Sequence, residues 1–313
     1  MRVWVTGAAG FVGRHVLADL ARAGHEVYGF DVAPAPAGAP VAGWTVGDLT
    51  EAEAVAAGVG QARPAGCIHL GGIAFVPAGW ETPRRVFDIN AGGTIQVLEA
   101  VRRAAPGARL LMVSSAEIYG RVDRPAPLDE ETAPAPENPY AISKLAAELT
   151  TLVYARRYDQ PFLTVRPDNH FGPGQAPAFV APAFARQLAA IAAGHQAPIL
   201  RVGNLDDERD FLDVRDVARA YRLLLEQAPP GQPYNLSSGR RIAIRTLLDQ
   251  FCRLAGVTPR IEVDPDRWRS RTRSPAISAE RARRATGWAP EIPLETTLAE
   301  VYAEAVAAVS SGV

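Results

Sequence analysis

The chain has 313 residues, with 33 basic against 34 acidic side chains and a formal net charge of −1. That length permits a substantial core in one large domain or two smaller ones, and so even a charge balance gives no basic excess that would argue for nucleic acid as a partner. Cys67 and Cys252 lie far apart in apolar surroundings, which argues for buried, inert thiols in a reducing cytoplasm; with no leader after Met1 and no long apolar run, the expectation is a soluble cytoplasmic protein without a membrane span.

Residues Arg2 to Thr6 form a short apolar strand that runs into Gly7-Ala8-Ala9-Gly10-Phe11-Val12-Gly13 and then an apolar helix carrying Val16, Leu17 and Leu20. Glycines spaced G-x-x-G-x-x-G between a strand and a helix allow a tight turn, close backbone approach to a pyrophosphate, and a helix amino-terminus aimed at it. Gly7, Gly10, Phe11, Val12 and Gly13 are therefore candidate dinucleotide contacts. A second strand, His25 to Asp31, ends in an acidic residue 18 positions after Gly13. Asp31 would accept hydrogen bonds from the adenosine ribose and repel a 2′-phosphate, and no arginine follows it through residue 40. NAD(H) is expected over NADP(H); the alternative is an aspartate that starts the alanine/proline/glycine loop 34–40.

Next come Val46-Gly47-Asp48-Leu49, where Asp48 suits a cap for the following helix, and Gly66 to His69, a fourth strand that ends in Leu70-Gly71-Gly72. Glycine there lets the backbone approach a pyrophosphate and ribose. His69, inside the strand, reads as a packed core histidine rather than a catalyst. A helix is predicted from about Pro83 to Arg103, with Val86, Ile89, Asn90, Gly93, Val97 and Val101 on one face. Arg109 to Val113 reads as a buried strand that delivers Ser115 to its carboxyl end, where open α/β sheets bind ligands. Tyr140 and Lys144 stand four apart ahead of the apolar pattern Leu145, Leu149, Leu152 and Val153, so both project from one helix face. A free phenol has a pKa of about 10, and a nearby cation favours the phenolate, which makes Tyr140 a candidate proton shuttle. The plain alternative is a chance pair on a surface helix.

Thr6 to Gly13, Ser115, and Tyr140 with Lys144 stand in the order and spacing of the extended short-chain dehydrogenase/reductases, and the chain resembles their nucleotide-sugar epimerase/dehydratase branch. Strand-helix alternation up to Val165 itself predicts an α/β Rossmann-type doubly wound parallel sheet. The resemblance implies a smaller α/β substrate-binding domain, with residues 1–168 plus about 209–236 binding the dinucleotide, and 169–208 and 237–313 binding a nucleotide sugar. It also implies that Asp48 and Leu49 meet the adenine, that Leu70, Gly71 and Gly72 follow the family's pattern after the fourth strand, and that Lys144 binds the nicotinamide ribose. A homodimer through a four-helix bundle, built from the helix with Asn90 and the helix with Tyr140, is implied in the same way.

The residues after Ser115 bear on the chemistry. Hexose dehydration needs an acid and a base, which in glucose-type dehydratases are an aspartate and a glutamate directly after the catalytic hydroxyl; here those positions hold Ala116 and Glu117. Alanine cannot protonate a leaving group, which disfavours dehydration. Arg166-Pro167-Asp168-Asn169-His170-Phe171-Gly172-Pro173-Gly174-Gln175, Gly203-Asn204-Leu205 and Arg209-Asp210-Phe211-Leu212-Asp213-Val214-Arg215-Asp216-Val217 resemble motifs shared by GDP-mannose 4,6-dehydratases and GDP-4-keto-6-deoxymannose reductases. Ala116, and the lack of an arginine-rich loop near residue 35, favour the reductases.

The expected activity is reduction of a GDP-linked 4-keto-6-deoxy sugar at C4. Ser115, Tyr140, Lys144 and Glu117 would be catalytic, Pro167 and His170 near the nicotinamide, and Ser115, Ala116, Glu117, Asn169, Val180, Arg209 and Arg271 on the substrate. Arg209 could equally pair with Asp206, Asp207 or Asp213, and any of Arg267, Arg269, Arg271 and Arg273 around Trp268 could grip a diphosphate. Trp288 reads as a turn anchor. No metal is called for. The alternatives are a 4-epimerase that retains NAD and, from another class, a non-catalytic dinucleotide sensor.

Overall fold

The computed structural model describes residues 1–120, 127–264 and 276–311. Arg267, Arg269, Arg271, Arg273 and Trp268 lie outside the described residues. In chain order the first half comprises β1 (Arg2–Thr6), α1 (Phe11–Arg22), β2 (Glu26–Asp31), β3 (Gly43–Val46), α2 (Ala52–Ala62), β4 (Gly66–His69), α3 (Val76–Glu81), α4 (Pro83–Phe87), a π-helical turn (Asp88–Gly92), α5 (Gly93–Ala104), β5 (Arg109–Val113), a 3-10 turn (Ala116–Tyr119) and α6 (Pro139–Tyr158). The second half comprises β6 (Phe162–Pro167), β7 (His170–Phe171), α7 (Val180–Ala192), β8 (Ile199–Val202), β9 (Glu208–Asp210), β10 (Leu212–Asp213), α8 (Val214–Gln227), β11 (Pro233–Leu236), β12 (Arg241–Ala243), α9 (Ile244–Ala255), β13 (Arg260–Val263), α10 (Glu280–Thr286) and α11 (Leu294–Ser310).

Seven parallel strands form the main sheet in the order β11-β6-β5-β4-β1-β2-β3. Every residue of β4 and β6 is buried, as expected for strands covered on both faces. On one face α1 and α8 pack Val16, Leu17 and Leu20 against Val217, Tyr221 and Leu224. On the other, α2, α5 and α6 contribute Val55, Val59, Val97, Leu98, Val101 and Ala147. Each fully buried aliphatic side chain of this kind contributes about 1.5–3 kcal/mol. The strand order reverses between β1 and β4, so a crevice opens at the carboxyl ends of these two strands, the place where such sheets take ligands. A separate apolar cluster joins α7, α9 and α11 through Phe184, Leu188, Leu247, Phe251, Leu298 and Val301.

The predicted helix 83–103 is present but interrupted: α4 passes through the π-helical turn into α5. The wider turn carries Asn90, whose Oδ1 accepts from Ile73 N at 2.7 Å and whose Nδ2 donates to Ile73 O at 3.1 Å and Ser143 Oγ at 2.9 Å. One side chain thereby ties the loop after β4 to α6. In α6 itself the apolar periodicity misleads. Of the predicted apolar residues Leu152 is buried, but the rest of the core face is mostly small or polar (Ala141, Ser143, Ala147, Glu148, Thr151, Ala155), and Leu149 and Val153 are 52% and 50% exposed. Small residues let α6 sit close to the sheet, which is what brings Tyr140 and Lys144 into the crevice. Among the described residues no helix is long and apolar enough to cross a membrane.

Candidate active site

A cleft of about 1480 Å³ runs along the carboxyl ends of the sheet strands and continues towards α7 and β8. Its floor at one end is the turn between β1 and α1. Gly7 sits at φ +67°, and a Cβ there would lie 2.8 Å from the Gly71 backbone; a Cβ on Gly13 would lie 2.3 Å from Gly7 O. Both positions demand glycine, one for its conformation and both for close packing. Gly10, Phe11, Val12, Leu49, Leu70, Gly71 and Gly72 line the same trough. Together they form a backbone cradle at the start of α1, and the residues present fit a dinucleotide pyrophosphate.

Beneath the cradle runs a single-file hydrogen-bond chain. Gly71 N donates to Thr6 Oγ1 at 3.1 Å, Thr6 Oγ1 lies 2.6 Å from His69 Nδ1, His69 Nε2 lies 3.0 Å from Thr94 Oγ1, and Thr94 Oγ1 donates to Asn90 O at 2.6 Å. Because the Thr94 proton goes to a carbonyl, Nε2–H must donate and Nδ1 must accept. Burial, with the Lys144 charge nearby, holds His69 neutral with its pKa pulled down to about 3. It is a core histidine, as its place in the strand implies.

The Ser115, Tyr140 and Lys144 side chains all reach the cleft wall. Ser115 follows β5 and caps the 3-10 turn by accepting from Glu117 N at 3.2 Å. Tyr140 and Lys144 occupy the first turns of α6, which is started by Asn138 Oδ1 accepting from Ala141 N at 2.8 Å. Lys144 Nζ donates to Val113 O at 2.9 Å, and burial pulls its pKa down to about 8. Burial also governs Tyr140: the phenol is pushed up to about 12, with Ser115 lowering the value and Glu117 raising it less strongly. The expected depression of the tyrosine by Lys144 is not found in this geometry: desolvation dominates, and the one lowering contact is Ser115.

Pro167, Asn169, His170, Val180, Ala116, Glu117 and Arg209 line the same cleft. The His170 ring stacks against Phe11 at 6.4 Å with 8° between the planes, and its Nδ1 lies 3.0 Å from Asp168 O. Arg209 Nη2 bonds Asp207 Oδ2 at 2.8 Å, and its Nη1 lies 3.8 Å from Glu117 Oε1. The guanidinium both pairs with a neighbouring aspartate and faces the cleft, which makes the two expectations for it compatible. Trp288 is buried with Nε1 donating to Asp216 O at 2.9 Å, the anchor its turn suggested. Cys67 is buried, whereas Cys252 is only partly so.

Residues 3–237 match the model of the NAD dependent epimerase/dehydratase family. The chain belongs to that family. It is 38% identical over 305 residues to GDP-6-deoxy-D-mannose reductase of Pseudomonas aeruginosa, covering 97% of this chain and 96% of that one. To UDP-glucose 4-epimerase of Mycolicibacterium smegmatis it is 28% identical over 309 residues, 96% of this chain and 97% of the epimerase. Among solved members of the epimerase/dehydratase family, RMD from Pseudomonas aeruginosa complexed with NADPH superposes at a TM-score of 0.86 and 36% identity, covering 98% and 99% of the two chains. The UDP-glucose 4-epimerase of Thermus thermophilus in complex with NAD follows at 0.85 and 28%, covering 97% and 99%.

The NADPH complex overturns the preference for NAD(H) over NADP(H) drawn from Asp31. The structure of this chain supplies the physical reason. Asp31 Oδ2 accepts from Ala9 N of the cradle at 2.9 Å and Oδ1 from Ala33 N of the loop after β2 at 3.1 Å, so each carboxylate oxygen already serves a backbone amide. Its charge is partly compensated by those dipoles rather than presented whole to a ribose. Across the same end of the cleft stands the exposed Arg85 of α4, beside Asp48 and Ile89. Asp48 Oδ1 accepts from Thr50 N at 2.9 Å and Thr50 Oγ1 at 2.8 Å, which closes the turn before α2 rather than capping it as expected; the N-cap position is Glu51. Arg85 escaped sequence reasoning because it comes from a helix some fifty residues beyond Asp31.

Proposed function

We propose that this protein reduces a nucleotide-linked 4-keto-6-deoxy sugar, GDP-linked, at C4 with NADP(H). The observation that carries the proposal is the 38% identity to a GDP-6-deoxy-D-mannose reductase over 97% of the chain. Ala116 supports reduction over dehydration: where the dehydratases resembled carry an acid directly after the catalytic hydroxyl, a methyl group stands, and Glu117 is left without that partner.

The glycine cradle, with Leu49, Leu70, Pro167 and His170, would hold the dinucleotide, and Arg85 is the cation facing its adenosine end. When bound, the cofactor supplies hydride to the keto carbon. Ser115 and Tyr140 hold the carbonyl oxygen, and Tyr140 gives its proton as alkoxide character develops. A phenol kept protonated by burial suits the reducing direction, since it is present as an acid throughout the neutral range. Lys144, anchored on Val113 O, contributes positive potential beneath the tyrosine and a donor for the nicotinamide ribose. Glu117 orients the sugar, and Asn169, Val180 and Arg209 hold the sugar and diphosphate; Arg209 offers a planar fork suited to phosphate.

Residues 1–168 plus about 209–236 are assigned to the cofactor half, and 169–208 with 237–313 to the sugar half. A cytoplasmic setting and pairing of two copies through α5 and α6 belong to the same proposal. The apolar side chains of Ile95, Ile142, Leu149 and Val153, exposed on those helices, support the pairing.

The test is to give purified protein GDP-4-keto-6-deoxymannose with NADPH and follow cofactor oxidation. Steady consumption is expected, with a GDP-deoxyhexose as product. Release of near-stoichiometric NAD on denaturation, without net consumption of added NADPH, would instead establish the epimerase cycle.

A further inference from the structure

Asp168 follows β6 directly, its N–H pinned to Leu236 O of β11 at 2.8 Å, and its side chain is 7% exposed. Oδ1 accepts from both Asn169 N and Asn169 Nδ2 at 2.8 Å, whereas Oδ2 receives no donor among the described residues. The residue lines the cleft together with Ser115, Glu117, Tyr140 and Asn169. A second carboxyl, Asp210 at the end of β9, is 3% exposed and close enough for the two charges to act on each other.

The two members are served unequally. Asp210 Oδ1 accepts from Ser238 N and Oδ2 from Ser238 Oγ, both at 2.9 Å, and the Gly239 and Arg240 amides add further donors. Two buried carboxylates in one site cannot both ionise cheaply, and the better-solvated one keeps the charge. Burial raises the Asp210 carboxyl too, but its Ser238, Gly239 and Arg240 donors favour its ionised form, which leaves the proton on Asp168. The other charged groups facing Asp168 are Arg209 on β9 and Glu117 from the 3-10 turn. Arg209 shares its charge with Asp207 and Glu117, so it cannot neutralise Asp168 alone. Burial first and Asp210 second push the Asp168 carboxyl up to about 8.

We propose that Asp168 is a further substrate-recognition residue: a neutral carboxylic acid whose Oδ2 hydroxyl donates a hydrogen bond to an oxygen acceptor, a hydroxyl or carbonyl, of the bound sugar. The inference rests on the reading of this cleft as a nucleotide-sugar site. Once ionised, Asp168 loses the donor and adds a negative charge beside a diphosphate-bearing ligand. Sugar affinity then falls, approaching tenfold per pH unit well above the titration point, whereas any change in dinucleotide affinity follows Lys144, which titrates near 8, and is the same with or without Asp168.

Asp168→Asn tests this cleanly, because the amide keeps an acceptor for Asn169 and a donor in place of Oδ2–H but cannot titrate. Two measurements on the full chain are needed. Infrared difference spectra between pH 7 and pH 9.5, without ligand, should show loss of a carboxylic-acid carbonyl band in the wild type that is missing in Asp168→Asn. Calorimetric titration with GDP-mannose should show roughly fivefold weaker binding at pH 9 than at pH 8 in the wild type and a clearly smaller change in the variant, with the pH profile of NADPH binding the same in both proteins. An identical infrared change in the variant overturns this inference and leaves the nucleotide-sugar reading standing. A pH slope as steep in the variant as in the wild type overturns it as well. Failure of the wild type to bind GDP-mannose at pH 7 overturns the GDP-sugar reading and this inference with it.

Discussion

Arg166 of β6 and Glu148 of α6 form a buried fork-to-fork pair, with Nε donating to Oε1 at 3.0 Å and Oε2 at 3.1 Å, and Nη2 to Oε1 at 2.6 Å. Arg166 Nη1 also donates to Tyr119 OH at 2.6 Å, and Tyr119 OH donates to Asn235 Oδ1 at 2.8 Å. One guanidinium thus locks α6, which carries Tyr140 and Lys144, to the 3-10 turn after Ser115 and to β11. Removing one partner of a buried pair leaves an uncompensated charge, at a cost of about 3–5 kcal/mol. Glu148→Ala is expected to lower the urea unfolding free energy by that amount, whereas replacing both residues by apolar ones of similar volume should recover part of it. Equal stability of Glu148→Ala and wild type would show that the pair does not hold α6.

Tyr140→Phe removes the phenol beside Ser115 while leaving the buried ring in place. A positioned general acid contributes about 10²–10⁴-fold, so kcat should fall by that factor, with NADPH binding, followed by nicotinamide fluorescence, retained. Turnover that survives the substitution would rule out Tyr140 as the proton donor.

The corrected view of Asp31 has its own consequence. If its carboxylate chiefly organises the cradle through Ala9 and the loop after β2 through Ala33, Asp31→Ala should weaken NADH and NADPH together, each by roughly five- to thirtyfold for about 1–2 kcal/mol of lost amide bonding. A selective gain for NADPH would instead restore a repulsive role for this residue.

Arg85 offers the complementary measurement. An exposed cation near a phosphate is worth about 1 kcal/mol, so Arg85→Ala should raise the KM for NADPH about fivefold and leave that for NADH in place. Comparing the two cofactors in one variant separates a phosphate contact from a general loss of fold.

Much of the site was legible because its parts are local. The glycines from Gly7 to Gly13, Ser115 at a strand end, and Tyr140 with Lys144 one helical turn apart each declare themselves within a dozen residues. What was not legible depends on partners distant in sequence. Asp31 was recognised as the acidic end of β2, but its partner Ala9 lies 22 positions away in the cradle and changes what the carboxylate does. The Asp168–Asp210 pair and the Arg166–Glu148 pair arise only when β6, β9 and α6 converge. Leu149 and Val153 misled for another reason: hydrophobic period identifies a helix, but where the inward face is built from alanine, serine and threonine it picks out the wrong side.

His69 sets the acid sensitivity of the fold. Its Nδ1 accepts from Thr6 and its Nε2 donates to Thr94, so a second proton on Nδ1 would break the Thr6 bond and bury a charge near Lys144. The folded-state pKa of about 3 lies below the ordinary value of 6.5, so between those two pH values the unfolded chain binds more protons than the native one. Stability therefore falls as pH drops through that window. With one proton at stake, the loss attributable to His69 between pH 7 and pH 4.5 is about 2–3 kcal/mol. His69→Gln keeps an acceptor for Thr6 and a donor for Thr94 without titrating, so its urea midpoint should shift less with acid than that of the wild type by the equivalent of that energy. Asp168 contributes with the opposite sign, gaining stability as pH falls from about 8, and it is common to both proteins. The difference between them therefore isolates the histidine, and parallel acid profiles would mean that the chain from Gly71 to Asn90 tolerates a charged imidazole.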